Sequence, residues 1–113
     1  MNLYLFIVVL GGRSLKSNIE LHDVRWVVGS YIEETFSQLR REWFGNPNGL
    51  HIDSYMKVNF IDGYLVNVRS REELNESKSK SKIIKEKQKN HLWFINLGGY
   101  NSSRMLEEHE FRL

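Results

Sequence analysis

The strongest constraint on this chain is its first apolar run. Residues 3–10 are eight consecutive hydrophobic side chains rich in Val and Ile, closed by Gly11-Gly12. A run of that length falls well short of the roughly 18 residues a membrane-spanning helix needs. No Lys or Arg precedes it, so it is not expected to act as a secretion signal. Val and Ile stiffen the side chain and favour extended backbone. A strand apolar at every position belongs in the middle of a sheet, covered on both faces. The rest of the 113 residues must supply its neighbours, and with 41% hydrophobic residues they can build one core of ordinary size. The chain contains no cysteine, which excludes disulfide scaffolds, thiolate zinc sites and cysteine nucleophiles.

Downstream, Ile19 and Leu21 alternate with Glu20 and His22 and lead into Val24–Val28, a second strand. Ser30 followed by Glu33 has the spacing of a helix capping box. Behind it Ile32, Phe36, Leu39 and Trp43 recur at helical intervals, giving one apolar face over residues 30–44. Gly45-Asn46-Pro47-Asn48-Gly49 ends that helix. Ile52–Phe60 and Tyr64–Val68 flank Asp62-Gly63, a hairpin signal. A further aromatic-rich strand is expected at His91–Leu97. One helix among these strands predicts an α+β fold, with a mixed or antiparallel sheet of about five to six strands.

The net charge of +2 is unevenly placed. The segment 69–90 carries eight basic and four acidic residues, so it holds +4 and leaves the remainder at −2. Only Leu74, Ile83 and Ile84 in it are apolar, the composition of a solvated insert. Its lysine run has neither aromatic residues for base stacking nor arginine, so nucleic acid is not an expected partner.

Comparison of the chain with itself reveals a repeat. A shift of 87 superposes Leu10-Gly11-Gly12 on Leu97-Gly98-Gly99, Glu20 on Glu107, His22 on His109 and Arg25 on Arg112. With Leu5 on Leu92, seven of 22 ungapped pairs are identical. The expected organisation is a single domain, 1–113, made of a first repeat core (1–69), the lysine-rich insert (70–90) and the start of a truncated second repeat (91–113). Such a partial duplication leaves apolar sheet surface uncovered, so a homo-oligomer, in the first instance a dimer, is expected.

The stretches Val9–Gly12, Asn18–Gly29, Ile32–Thr35, Gln38–Arg40, Trp43–Gly45 and Gly49–Asp53 resemble the bacterial family known as domain of unknown function 1543. Phe94–Tyr100 is similar to the start of that family's second unit. The resemblance implies one or two copies of the domain per chain and brings no activity with it.

The repeated Glu-x-His-(Asp/Glu)-x-Arg cluster is the principal polar constellation. In an extended segment Glu20 and His22 share one face and Asp23 takes the other. A carboxylate beside an imidazole can orient it, raise its pKa or help hold a metal. Glu20, His22 and Asp23, with His109 and Glu107 in the second copy, are thus the candidate residues. Two ligands per copy do not fill a metal shell, so no metal is assigned, and the cluster can equally cap loop backbone with Arg25 pairing Asp23 or Glu20. His51 and Asp53 fall on one face of a strand start and are expected to face solvent. Neither phosphate-loop pattern follows Gly11-Gly12, and no cofactor is expected. Trp26, Trp43, Trp93 and Tyr100 suit core or interface positions. These features point to a small cytoplasmic interaction or self-associating module, with an unidentified protein as a further candidate partner. The alternative is an enzyme or a metal- or small-ligand-binding domain that uses the Glu-x-His-Asp cluster.

Overall fold

The computed structural model describes residues 2–73, 90–103 and 106–112, with Asn101 and 106–112 at the level of the backbone. The chain divides into two compact units, Met1–Glu73 and Leu74–Leu113.

The first unit is built on β1 (Tyr4–Arg13), which is the middle strand of a three-stranded antiparallel sheet. β2 (Leu21–Gly29) lies on one side of it and β3 (Asn46–Val58) on the other. The central position predicted for the first apolar run is therefore observed. Coverage on both faces is not, because burial along β1 alternates. Phe6, Val8 and Leu10 are buried, while Leu5, Ile7 and Val9 are only half-buried. The buried side meets the helical segment through Ile32, Leu39 and Trp43. Burying each of these side chains contributes about 1.5–3 kcal/mol relative to leaving it exposed.

That helical segment starts later than the capping pattern implies. A 3₁₀ turn over Ile32–Thr35 precedes α1 (Phe36–Glu42), and neither has a side-chain cap. Tyr31 rather than Ser30 takes the cap position, and Glu34 Oε2 accepts from the Ser30 backbone N–H at 2.7 Å. Three members of the predicted apolar face are buried, but Phe36 is half-exposed. The helix ends at Trp43, whose Nε1 donates to the Asn46 carbonyl at 3.1 Å. The indole packs on Gly12, where a Cβ would come within 2.7 Å of it.

β4 (Phe60–Ile61) and β5 (Tyr64–Leu65) form a hairpin at the predicted Asp62-Gly63 turn, shorter than expected because Ile52–Val58 lies in β3 against β1. Asp62 and Gly63 both have positive φ, 50° and 85°, the backbone that a tight two-residue hairpin turn requires. The strand expected at His91–Leu97 begins later, as β6 (Ile95–Asn101), and pairs antiparallel with β7 (Leu106–Arg112). Among the described residues the strands form an α+β arrangement of one three-stranded and two two-stranded sheets, not one sheet of five to six strands. The four residues of β4 and β5 are too few to extend the main ladder. Residues 74–89 of the predicted insert lie outside the described residues.

The register of the second hairpin is that of the first displaced by 87. Val8↔Arg25, Leu10↔Asp23 and Gly11↔His22 correspond to Ile95↔Arg112, Leu97↔Glu110 and Gly98↔His109. No helix among the described residues is long and apolar enough to cross a membrane.

Candidate functional site

The β1–β3 ladder is interrupted at the point that matters for the site. Val9 pairs with Ser54 but Leu10 pairs with Ile52, so Asp53 is an extra residue on β3, a β-bulge. Successive strand residues alternate faces. The extra residue inverts that alternation, placing Ile52 beside Leu10 on the helix side and His51 beside Gly11 on the opposite side. On the other flank of β1, Gly11 pairs with His22. Two imidazoles from two different strands therefore converge on one glycine.

Four side chains close into a ring over that glycine. His51 Nε2 lies 2.9 Å from Glu20 Oε1 and 3.0 Å from Asp53 Oδ1. His22 Nδ1 is 3.2 Å from Asp53 Oδ2, and its Nε2 is 3.5 Å from Glu20 Oε2. Acid and imidazole alternate around the ring, and all four side chains are between 35% and 54% exposed. His51 Nδ1 faces the Gly49 carbonyl at 2.9 Å. A carbonyl only accepts, so Nδ1 carries a proton and Nε2 is the atom offered to the carboxylates. Gly49 reaches this position with φ at +84°, a left-handed backbone suited to glycine.

The His51 pKa is raised above its ordinary value. The Gly49 hydrogen bond is the largest cause; partial desolvation opposes it, and the charges of Asp53 and Glu20 add to the rise.

Of the residues singled out from the sequence, Glu20 and His22 do share a face, and His51 and Asp53, expected to be a solvent-facing pair, join them. Asp23 takes the other face, where its Oδ1 accepts from the Val24 N–H at 2.9 Å. Arg25 pairs with Glu42 of α1, not with Asp23 or Glu20, because its register beside Val8 turns it toward the helix. His109 and Glu107 lie on β7 opposite Gly98 and Tyr100, and their side chains are outside the described residues. Sequence reasoning missed the union of the two pairs. The signal present was the matching spacing of Glu20-x-His22 and His51-x-Asp53.

Beside the ring lies an open cleft of about 370 Å³ between α1 and β3. Its apolar lining comes from Leu10, Leu39, Leu50, Ile52 and Phe36; Ser37 and Arg40 are its polar contributions from the helix. His51 belongs to its wall as well as to the ring.

The sequence model of the family described as Domain of Unknown Function (DUF1543) matches residues 17–68, a segment that contains all four ring residues. Among solved structures, the chain is similar to protein Il1583 from Idiomarina loihiensis, seen in a crystal structure. The two are 47% identical with a TM-score of 0.55. The match covers 57% of this chain and 44% of that one, so it spans less than half of that protein's length. No curated protein matches.

Proposed function

We propose that the domain, similar over residues 17–68 to the DUF1543 family, binds a small ligand in the cleft between α1 and β3. The observation that carries this reading is the double use of one short piece of β3. Leu50–Ile52 walls the cleft while His51 closes the ring. A concave apolar site with a few convergent polar groups is the usual form of a small-molecule site. Here Arg40 is the charged side chain that the helix brings to the lining and no acid contributes to it, which favours an apolar ligand bearing a carboxylate. Titration with benzoate and octanoate, followed by methyl NMR, tests this. The methyl signals of Leu39, Leu50 and Ile52 are expected to shift together, and Leu50→Trp, which fills the cleft, is expected to abolish the response. Shifts absent from these methyls, or unchanged by Leu50→Trp, would sink the reading.

A second reading is self-association. Leu5, Ile7 and Val9 are half-buried on the sheet face away from α1, and Val28 and Met56 beside them are exposed. An apolar sheet face of this kind, with β2 and β3 as open edges, suits a second copy. Size-exclusion with light scattering decides: concentration-dependent dimers lost in Met56→Glu support it, and a monomer at millimolar concentration removes it. We also take the domain to be cytoplasmic, a reading that the absence of cysteine supports.

A further inference from the structure

The two edges of the main sheet are unlike. β3 carries the bulge at Asp53, a proline at Pro47, and Lys57, whose Nζ lies 3.8 Å over the Tyr4 ring. Bulges, proline and lysine are the devices that keep an edge strand from pairing with another chain. β2 has none of them. Its register against β1 runs without a break from Tyr4↔Gly29 to Gly12↔Leu21, and among the described residues β1 is its one neighbour. The outer edge of β2 is therefore a regular row of backbone donors and acceptors, open to a further strand.

We propose that this edge pairs with β2 of a second copy, antiparallel and two-fold about Val24. The charges identify the partner. Asp23 and Arg25 stand on the α1 side of the sheet, in register with Leu10 and Val8. With Val24 opposite Val24, Asp23 of each copy faces Arg25 of the other, so one complementary pair is made twice. An axis through Asp23 or through Arg25 sets two like charges directly opposite each other and is unfavourable. The Val24 register also brings Leu21 beside Val27 on the α1 side and His22 beside Trp26 on the other face. Both charged groups can turn to this use. Asp23 Oδ1 accepts from the adjacent Val24 N–H at 2.9 Å, and a docked strand supplies that amide with a carbonyl instead. Arg25 pairs with Glu42 through one nitrogen, and a guanidinium has donors enough for a second carboxylate. The inference rests on the self-association reading only in taking a second copy as partner; the surface is the β2 edge, not the face that bears Met56.

Size-exclusion with light scattering on the full chain provides the first test. Asp23→Arg and Arg25→Asp each set like charges opposite one another, and each is expected to raise the dimer dissociation constant roughly tenfold or more. Mixed in equal amounts, the two variants restore opposite charges at both pairs, and a heterodimer of near wild-type affinity is expected. That recovery also shows that both variants fold. The chain has no cysteine, so Val24→Cys adds a single crosslinking point. Directly opposed residues lie about 5.5 Å apart at Cα, within disulfide reach, and an oxidised dimer is expected. Val28→Cys, on the same strand face, would lie roughly 27 Å from its copy at this register and is expected not to crosslink. Dimers that persist in both charge variants and are lost in Met56→Glu overturn the edge and leave the face reading standing. Dimers that survive Met56→Glu but not the charge variants do the reverse. A mixture of variants that stays monomeric, or Val28→Cys crosslinking in preference to Val24→Cys, also overturns the proposal. A wild-type chain monomeric at millimolar concentration removes both readings.

Discussion

In the β1–β2 hairpin Gly11 stands opposite His22, and in the β6–β7 hairpin Gly98 stands opposite His109, at the same register 87 residues later. The surroundings of the two are different. β1 has a second neighbour, β3, which supplies His51 and Asp53; among the described residues β6 has only β7. Gly12 lies under the Trp43 indole, whereas a Cβ on the corresponding Gly99 would meet nothing within 4 Å. A strand pair with this sequence pattern is therefore a frame, and the third strand and the helix turn the first copy into a site. We propose that the two hairpins are a duplication, in which the second retains the frame.

The largest expected effect comes from the paired glycines. Gly12→Ala forces the indole or the strand to move, and overpacking of this kind costs about 1–3 kcal/mol. Gly99→Ala, with open space around it, is expected to stay within about 0.5 kcal/mol of wild type. Urea denaturation of the two variants measures the difference. Equal losses would mean that the helix and Trp43 do not distinguish the two copies.

A smaller effect separates the copies by pH. The raised pKa of His51 means that the folded state holds its proton more tightly than the unfolded chain. Its contribution to stability is complete below the unfolded value of about 6.5 and disappears as pH rises through the folded value. In metal-free buffer, the urea midpoint of wild type is expected to approach that of His51→Gln between pH 6 and pH 9. A gap that is constant or widens with pH would contradict the ring geometry around His51. The change is modest because the side chain is half-exposed and screened by solvent.

Much of this architecture was legible in the sequence. The continuous apolar run located the central strand, Asp62-Gly63 located the turn, and the alternation of Glu20 and His22 put both on one face. Those are local properties, set by side-chain period and backbone preference. The union of Glu20 and His22 with His51 and Asp53 was not local, since it depends on how β2 and β3 register against β1. The helix start was misplaced by one residue for a related reason. The Ser30-x-x-Glu33 spacing suggested a capping box, but Tyr31 takes the cap position without a side-chain cap, and Glu34 rather than Glu33 accepts from the Ser30 N–H.

The extra residue at Asp53 carries a consequence for how such a site can be lost. Ile52 and His51 owe their facing to a parity set by one unpaired position, ahead of a second irregularity between Gly11 and Arg13. Smoothing the bulge with every residue retained would pair Leu10 with Asp53 and Gly11 with Ile52, turning His51 toward α1 and bringing Ile52 out beside Gly11. Glu20, His22 and His51 would all remain in the sequence, and the four-membered ring would be gone. For chains of this kind, the register of the third strand against the first is a sharper criterion for such a ring than the presence of the residues that compose it.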